Sequence, residues 1–330
     1  MPSSMDDTYA RVVRDLPVSM QPLASRLLVE VGMARGEVPR WDEVFQLEPC
    51  RDLPSFALVA GHAMEERTLE VFLRAHHCAC FYGVLVDRIA DHQVKSSPEF
   101  MALAQRLCTE WKRSLVELTK DEVLAEEAIS QSMRAWRLGV ALERTALSRR
   151  GLSPRRYARL VLLKLGWAEL ASDTLLHLSC EPGRARLFRH ATFALMLGLQ
   201  CLDDAVDAPE DAALRGVDIP AALGVPRAQL FRAGVWLTRA AASPARQGGF
   251  ERFARWLADR ADAVSRLHPE GSSLDSDLGG YALASLLEET CRHSAACFST
   301  RSVGITSSER LPSRPGLRNS RSRISPLSVP

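Results

Sequence analysis

Five acids, Asp203, Asp204, Asp207, Glu210 and Asp211, fall within nine residues at the end of an apolar stretch, and no chain can fold such a group into its interior without a partner for the charge. Leu195, Met196, Leu197, Leu199 and Leu202 lead into the cluster, so the acids grow out of a core helix and not a solvated one. At roughly 100° per residue, Gln200, Asp203, Asp204, Asp207 and Asp211 share one helical face, with Glu210 beside it. Two carboxylates about 5 Å apart repel by roughly 3 kcal/mol at an effective dielectric near 20. No Lys or Arg stands between Asp203 and Arg215 to offset this. Hard divalent cations with oxygen ligands are the natural external partners. A calcium-binding EF-hand loop needs ligands at alternate positions, a central Gly and a distal Glu, and the cluster has no such pattern.

A sparser pair, Asp87 and Asp91, lies four residues apart and so on one helical face. Behind it the same face carries Val84, Gly83, Cys80, His76 and Leu73. That pattern reads as an apolar pocket wall with a metal-binding rim, which makes His76, Cys80 and Gly83 candidate substrate contacts. Arg88, inside the pair, is a candidate phosphate contact, with an outward salt bridge as the alternative. Paired histidines within a buried helix are more often core residues bonded to a backbone carbonyl, which is the competing reading of His76 and His77. Neither the Glu-x-x-His of a di-iron bundle nor the His-Glu-x-x-His of a zinc protease occurs, and Asp91-His92 reverses the His-Asp dipeptide of a phosphohydrolase. Lys164 sits on the stripe of Leu160, Val161, Trp167, Ala168, Ala171 and Leu175, while Arg159, Glu169 and Asp173 are expected to face outward. A Lys so placed either snorkels to an edge or aims at an anion inside.

Hydrophobic residues make up 46% of the chain and aromatic residues only 6%, and strand-like alternation is scarce, which favours an all-α fold. Helices are expected near 60–91, 99–119, 121–149, 154–178, 183–208, 229–242, 250–267 and 278–298, with Ser153-Pro154 as a cap-like start. The first sixty residues read as helical pieces broken by prolines. Pro209 should break or kink its helix near Ala205 and carry Asp211 away from Asp207. Short connections suit a single large antiparallel bundle over 1–298. From residue 299 onward six Arg face one Glu and apolar periodicity ends, so 299–330 reads as a disordered tail. This tail is either a basic extension that touches acidic lipid headgroups at a membrane surface or the product of a frame change replacing a closing helix. A net charge of +2 is too balanced to imply a nucleic-acid partner. The eight scattered cysteines read as reduced core residues, and with no signal peptide or apolar run of roughly 20 residues in view a cytoplasmic location is expected.

The two acidic segments resemble the trans-isoprenoid diphosphate synthase superfamily, which includes squalene/phytoene synthases, polyprenyl diphosphate synthases and class I terpene cyclases. Gln200-Cys-Leu-Asp-Asp-Ala-Val-Asp-Ala-Pro-Glu-Asp211 is similar to the second Asp-rich motif at every acidic offset, and Gly216 to Pro220 resembles the Gly-x-x-x-Pro that trails it in squalene/phytoene synthases. Asp87 and Asp91 are similar to the first motif, with Arg88 in place of the second acid of Asp-Asp-x-x-Asp. Lys164-Leu-Gly resembles the Lys-Thr-Gly/Ala segment of polyprenyl synthases.

The resemblance implies an isoprenoid synthase bundle with a central cavity, in which Asp87, Asp91, Asp203, Asp204, Asp207 and Asp211 hold Mg2+ and Lys164 meets a prenyl diphosphate, with Gln200 and Arg88 near the substrate. It leaves room for a homodimer. The Arg-Arg-Gly that chain elongators carry shortly after the first motif is missing after Asp91, and Arg149-Arg150-Gly151 comes too late to replace it. A terpene synthase acting on one prenyl diphosphate is therefore expected first. Head-to-head condensation, or an inactive homologue serving as a binding module, are the alternatives.

Overall fold

The computed structural model describes residues 4–35, 39–58, 66–91, 93–149, 151–179, 182–267 and 278–302. Among these residues there are helices and no strands. The helices of ten residues or more are α1 (Met5–Arg14), α2 (Glu66–Ala90), α3 (Pro98–Thr119), α4 (Glu122–Arg149), α5 (Pro154–Leu165), α6 (Leu170–Ser179), α7 (Pro182–Arg215), α8 (Arg227–Ala240), α9 (Glu251–Leu267) and α10 (Leu278–Ser302). Shorter pieces fill the proline-rich N-terminal region, as expected. Local chemistry sets several boundaries. Ser97 and Ser153 each cap a helix whose first residue is Pro, their side chains accepting from Phe100 and Arg156 backbone N–H groups. Lys120, in the left-handed region at φ 57°, stops α3.

Two apolar clusters form the interior. One joins the N-terminal helices to α2, α3 and the first part of α4 around Trp41, Phe81 and Trp111. The other gathers α5 to α10 around Tyr157, Phe188, Phe193, Phe250 and Phe253. Helix α2 contributes to both, with Phe72 in the second and Ala75 to Leu85 in the first. It is long and apolar enough to cross a membrane by length and composition alone, contrary to expectation, but 61% of that stretch is buried within the bundle.

Helix α7 is the axis of the second cluster, packing on α5, α6, α8 and α10. It runs unbroken through Pro209 to Arg215, so the expected break does not occur. Proline removes only one backbone bond. Its neighbours Ala205 and Ala208 are buried and hold the helix to its course, while Pro209 itself is exposed. The expected single helix over 154–178 is instead two, joined by a 3-10 turn at Gly166–Glu169. Trp167 in that turn lies on Gly83 of α2, where an added Cβ would come within 2.4 Å of the indole. Glu169, expected outside, is only 3% exposed and feels the charges of Arg189 and Asp173, and Arg189 donates to Asp173 at 2.7 Å. Turning Trp167 and Glu169 inward together requires the helix to tighten here. Helix α10 extends to Ser302, past the expected start of the tail, and residues 303–330 of that tail lie outside the described residues.

Helices α7 and α8 touch at glycines. A Cβ on Gly234 would meet the Gly198 carbonyl oxygen at 2.7 Å, and one on Gly198 would meet the Gly234 oxygen at 2.9 Å. Neither backbone can yield without moving α8 away from α7, the helix that carries the acid cluster. Gly234→Ala should therefore lower stability by about 1–2 kcal/mol, the strain of overpacking exceeding the gain in helix propensity. Denaturant unfolding tests this: a lower midpoint at unchanged slope is expected, and unchanged or raised stability contradicts the close crossing.

Candidate active site

The end of α2, the C-terminal part of α4 and the last turn of α5 bring four charged side chains together. Lys164 Nζ lies 2.8 Å from Glu143 Oε2, 3.8 Å from Asp87 Oδ1 and 3.9 Å from Asp91 Oδ2. Lys164 is 15% exposed at its side chain, so this is a largely buried ammonium ion among three carboxylates. Burial pulls its pKa down, but Asp87, Glu143 and Asp91 outweigh that and hold the ammonium charged well above its ordinary range. Burial raises the Asp87 carboxyl, with the Lys164 charge working against it and the Asp91 charge with it. Trp136 Nε1 donates to Asp87 Oδ1 at 3.3 Å, and Arg144 Nη2 donates to the Ala90 carbonyl at 2.5 Å, tying α4 to the end of α2. Gly139 makes room for this packing: a Cβ there would sit 2.9 Å from Lys164 Cγ.

Asp204 of α7 turns to α5, where Tyr157 donates to Oδ2 at 2.5 Å, while Gln200 Nε2 donates to Oδ1 at 2.9 Å. Burial pushes the Asp204 carboxyl up to about 7, against the effect of these two donors, and the charges of Asp203 and Glu143 add to the rise. Asp203, Asp207 and Asp211 follow one another at four-residue spacing along the same helix. Burial raises Asp203, as do the charges of Asp207 and Asp211, and Arg88 partly offsets them.

Those electrostatic contacts join the two acidic segments. Arg88, of the first segment, reaches Asp203 of the second, and Glu143, bonded to Lys164, reaches Asp204. Asp87, Asp91 and Lys164 are joined by ion pairs, and the charges of Arg88 and Glu143 extend from that group to Asp203 and Asp204. The ligand set changes, however. Asp204 and Gln200 are engaged with each other and with Tyr157, because an inward carboxylate at this packed crossing needs donors.

Three sequence candidates do not join the group. His76 is 1% exposed, with Nδ1 3.0 Å from the Ala168 oxygen and Nε2 2.9 Å from the Cys50 oxygen, and burial together with the charge of His77 lowers its pKa to about 4. Cys80 is buried beside it, 3.7 Å from His76 Nε2. Gly83 is covered by Trp167. The face of α2 behind Asp87 is therefore core, filled by the 3-10 turn, and not a pocket wall.

Sequence reasoning missed Glu143, Trp136 and Tyr157. For Glu143 a signal existed: Trp136, Val140 and Glu143 follow helical spacing on the inward face of α4. The Tyr157 contact joins residues 47 apart in sequence and left no local pattern.

No family model matches this sequence, and no curated protein matches it. Among solved structures the chain is similar to the polyprenyl synthetase from Streptomyces coelicolor A3(2), with a TM-score of 0.50 and 16% identity over 87% of this chain and 95% of that one. The fold is all-α, of the isoprenoid synthase type.

Asp204 gives a pH signature. Its folded pKa of about 7 lies above the ordinary 3.8, so the folded state holds a proton that the unfolded state has lost between these values. Its contribution to stability is full below the lower value and is lost as pH rises through the upper one, by at most about 1.4 kcal/mol per pH unit. His76, lowered from 6.5 to about 4, acts in the opposite sense over much of this range. The difference between Asp204→Asn and wild type removes that overlap. In chelator, the variant should gain on wild type from pH 4 to 7, and a pH-independent difference contradicts the assignment.

Proposed function

We propose that this chain is a class I isoprenoid synthase that ionises an allylic prenyl diphosphate with the help of Mg2+ and releases a cyclised or rearranged terpene. The observation that supports it is Lys164: one buried ammonium ion touches both acids of the first segment and, through Glu143, the electrostatic reach of the second. Isoprenoid synthase folds provide the matching frame.

The donors suit the metal. Asp87, Asp91, Asp203, Asp207 and Asp211 offer oxygen only. That fits Mg2+, which keeps several waters and binds through one or two carboxylates plus substrate phosphates. When bound, it would neutralise the charge developing on the leaving diphosphate. Lys164 would add a positive charge at the same oxygens, and Arg88 would add another. Apolar side chains of α4 to α7 would keep water from the allylic cation. Ionisation itself requires no proton transfer from the protein.

Head-to-head condensation of two prenyl diphosphates is the second reading, favoured by the segment after α7, where Gly216 adopts φ 70° and Pro220 opens the helix Ile219–Leu223. Incubation with Mg2+ and geranyl, farnesyl or geranylgeranyl diphosphate, followed by product analysis, separates the two by the number of prenyl units in the product. Asp207→Asn should lower diphosphate release by about a hundredfold, the scale of losing one group that stabilises transition-state charge. No release from any of the three substrates, or release undiminished in Asp207→Asn, would contradict the proposal.

A further inference from the structure

The ion pairs of Lys164 are unequal. Its 2.8 Å contact with Glu143 is a hydrogen bond, whereas 3.8 Å to Asp87 and 3.9 Å to Asp91 lie beyond hydrogen-bond reach and hold by charge alone. The stem of Lys164 is packed against the backbone of α4 at Gly139, so only the head can pivot. Without this ammonium, Asp87, Asp91 and Glu143 would face one another with no cation inside the triangle. Arg88 adds charge from the same helix, and Trp136 supplies a neutral donor to Asp87.

We infer that Lys164 is the resident counterion of Asp87 and Asp91 in the ligand-free protein, and that a divalent cation enters there by exchange, with Lys164 withdrawing onto Glu143. The inference rests on the proposed function in one respect, that Asp87 and Asp91 are where the divalent cation binds. Glu143 is then a positioning residue. It keeps the displaced ammonium beside the metal site, where an arriving anion can meet it, and spares the protein a buried charge with no partner. Metal loading and the release of Lys164 toward an anion become one event. Lys164 need not find the diphosphate by diffusion of a loose side chain, because the ion that displaces it also brings that anion.

The exchange is tested by titrating Mn2+ into full-length protein, without substrate, and reading bound metal by electron paramagnetic resonance. Lys164→Met removes the competing cation and should tighten Mn2+ binding about tenfold. Glu143→Gln removes the refuge and should weaken binding several-fold. Both shifts could arise from charge alone, so the double variant decides. Exchange predicts that Glu143→Gln costs clearly less in the Lys164→Met background than in wild type, since no ammonium remains to be accommodated.

An equal cost in both backgrounds overturns the inference, as does the absence of saturable Mn2+ binding. Should Lys164→Met not fold, Lys164→Arg serves: its forked head can bridge Asp87 and Asp91 and should weaken Mn2+ binding, and unchanged affinity overturns the inference. Turnover of a prenyl diphosphate without this coupling sinks the exchange alone. Coupling without turnover sinks the prenyl reading and leaves the exchange standing.

Discussion

One ammonium ion among three carboxylates organises the polar interior of this bundle. Taking Lys164 and Glu143 largely out of water is costly, and attraction within the group repays that only when the geometry is good. Here it is set by three helices: α2 delivers Asp87 and Asp91, α4 delivers Glu143, and α5 delivers Lys164 in its last turn, where a cation also meets the helix dipole favourably. The 3-10 turn that follows lets Trp167 seat on Gly83 and so fixes where α5 stops relative to α2. The break in the helix is thus part of what positions Lys164.

The second acid group is treated differently. Asp204 is satisfied within the protein by Tyr157 and Gln200, while at Asp203 the charges of Asp207 and Asp211 raise the carboxyl and that of Arg88 partly offsets them. On the proposed reading, a metal-bound diphosphate would bring charges that suit both acid groups. The Gly198–Gly234 crossing keeps α7 close against α8.

Much of the fold was legible because helical periodicity and proline-led caps are local signals. Helices α3 and α4 and the start of α5 lie within a residue or two of the positions that the apolar spacing and Ser153-Pro154 indicate. The break at Gly166 was hidden, since Trp167 and Glu169 turn inward for partners on α2 and α7 that no local window contains. Pro209 misled in the other direction, as packing of Ala205 and Ala208 overrides the cost of one missing bond. In the site, acid spacing revealed which segments matter. It could not reveal that Asp204 would be claimed by Tyr157, whereas the core reading of His76, beside backbone carbonyls, was open from its place in an apolar helix. Glu143 was readable from its place on the inward stripe of α4, but one acid among the four of that helix draws no attention until Lys164 is seen beside it.

The central claim is that the two acid groups serve one anion. Diffraction from crystals soaked with Mn2+ and inorganic diphosphate tests it most directly, because anomalous scattering locates the metal without reference to catalysis. The expected result is metal density on both sides of a single diphosphate, touching Asp87 or Asp91 on one side and Asp203 or Asp207 on the other, with Lys164 moved off the first pair. Metal bound to one group alone, or two groups opening onto separate spaces, would contradict it.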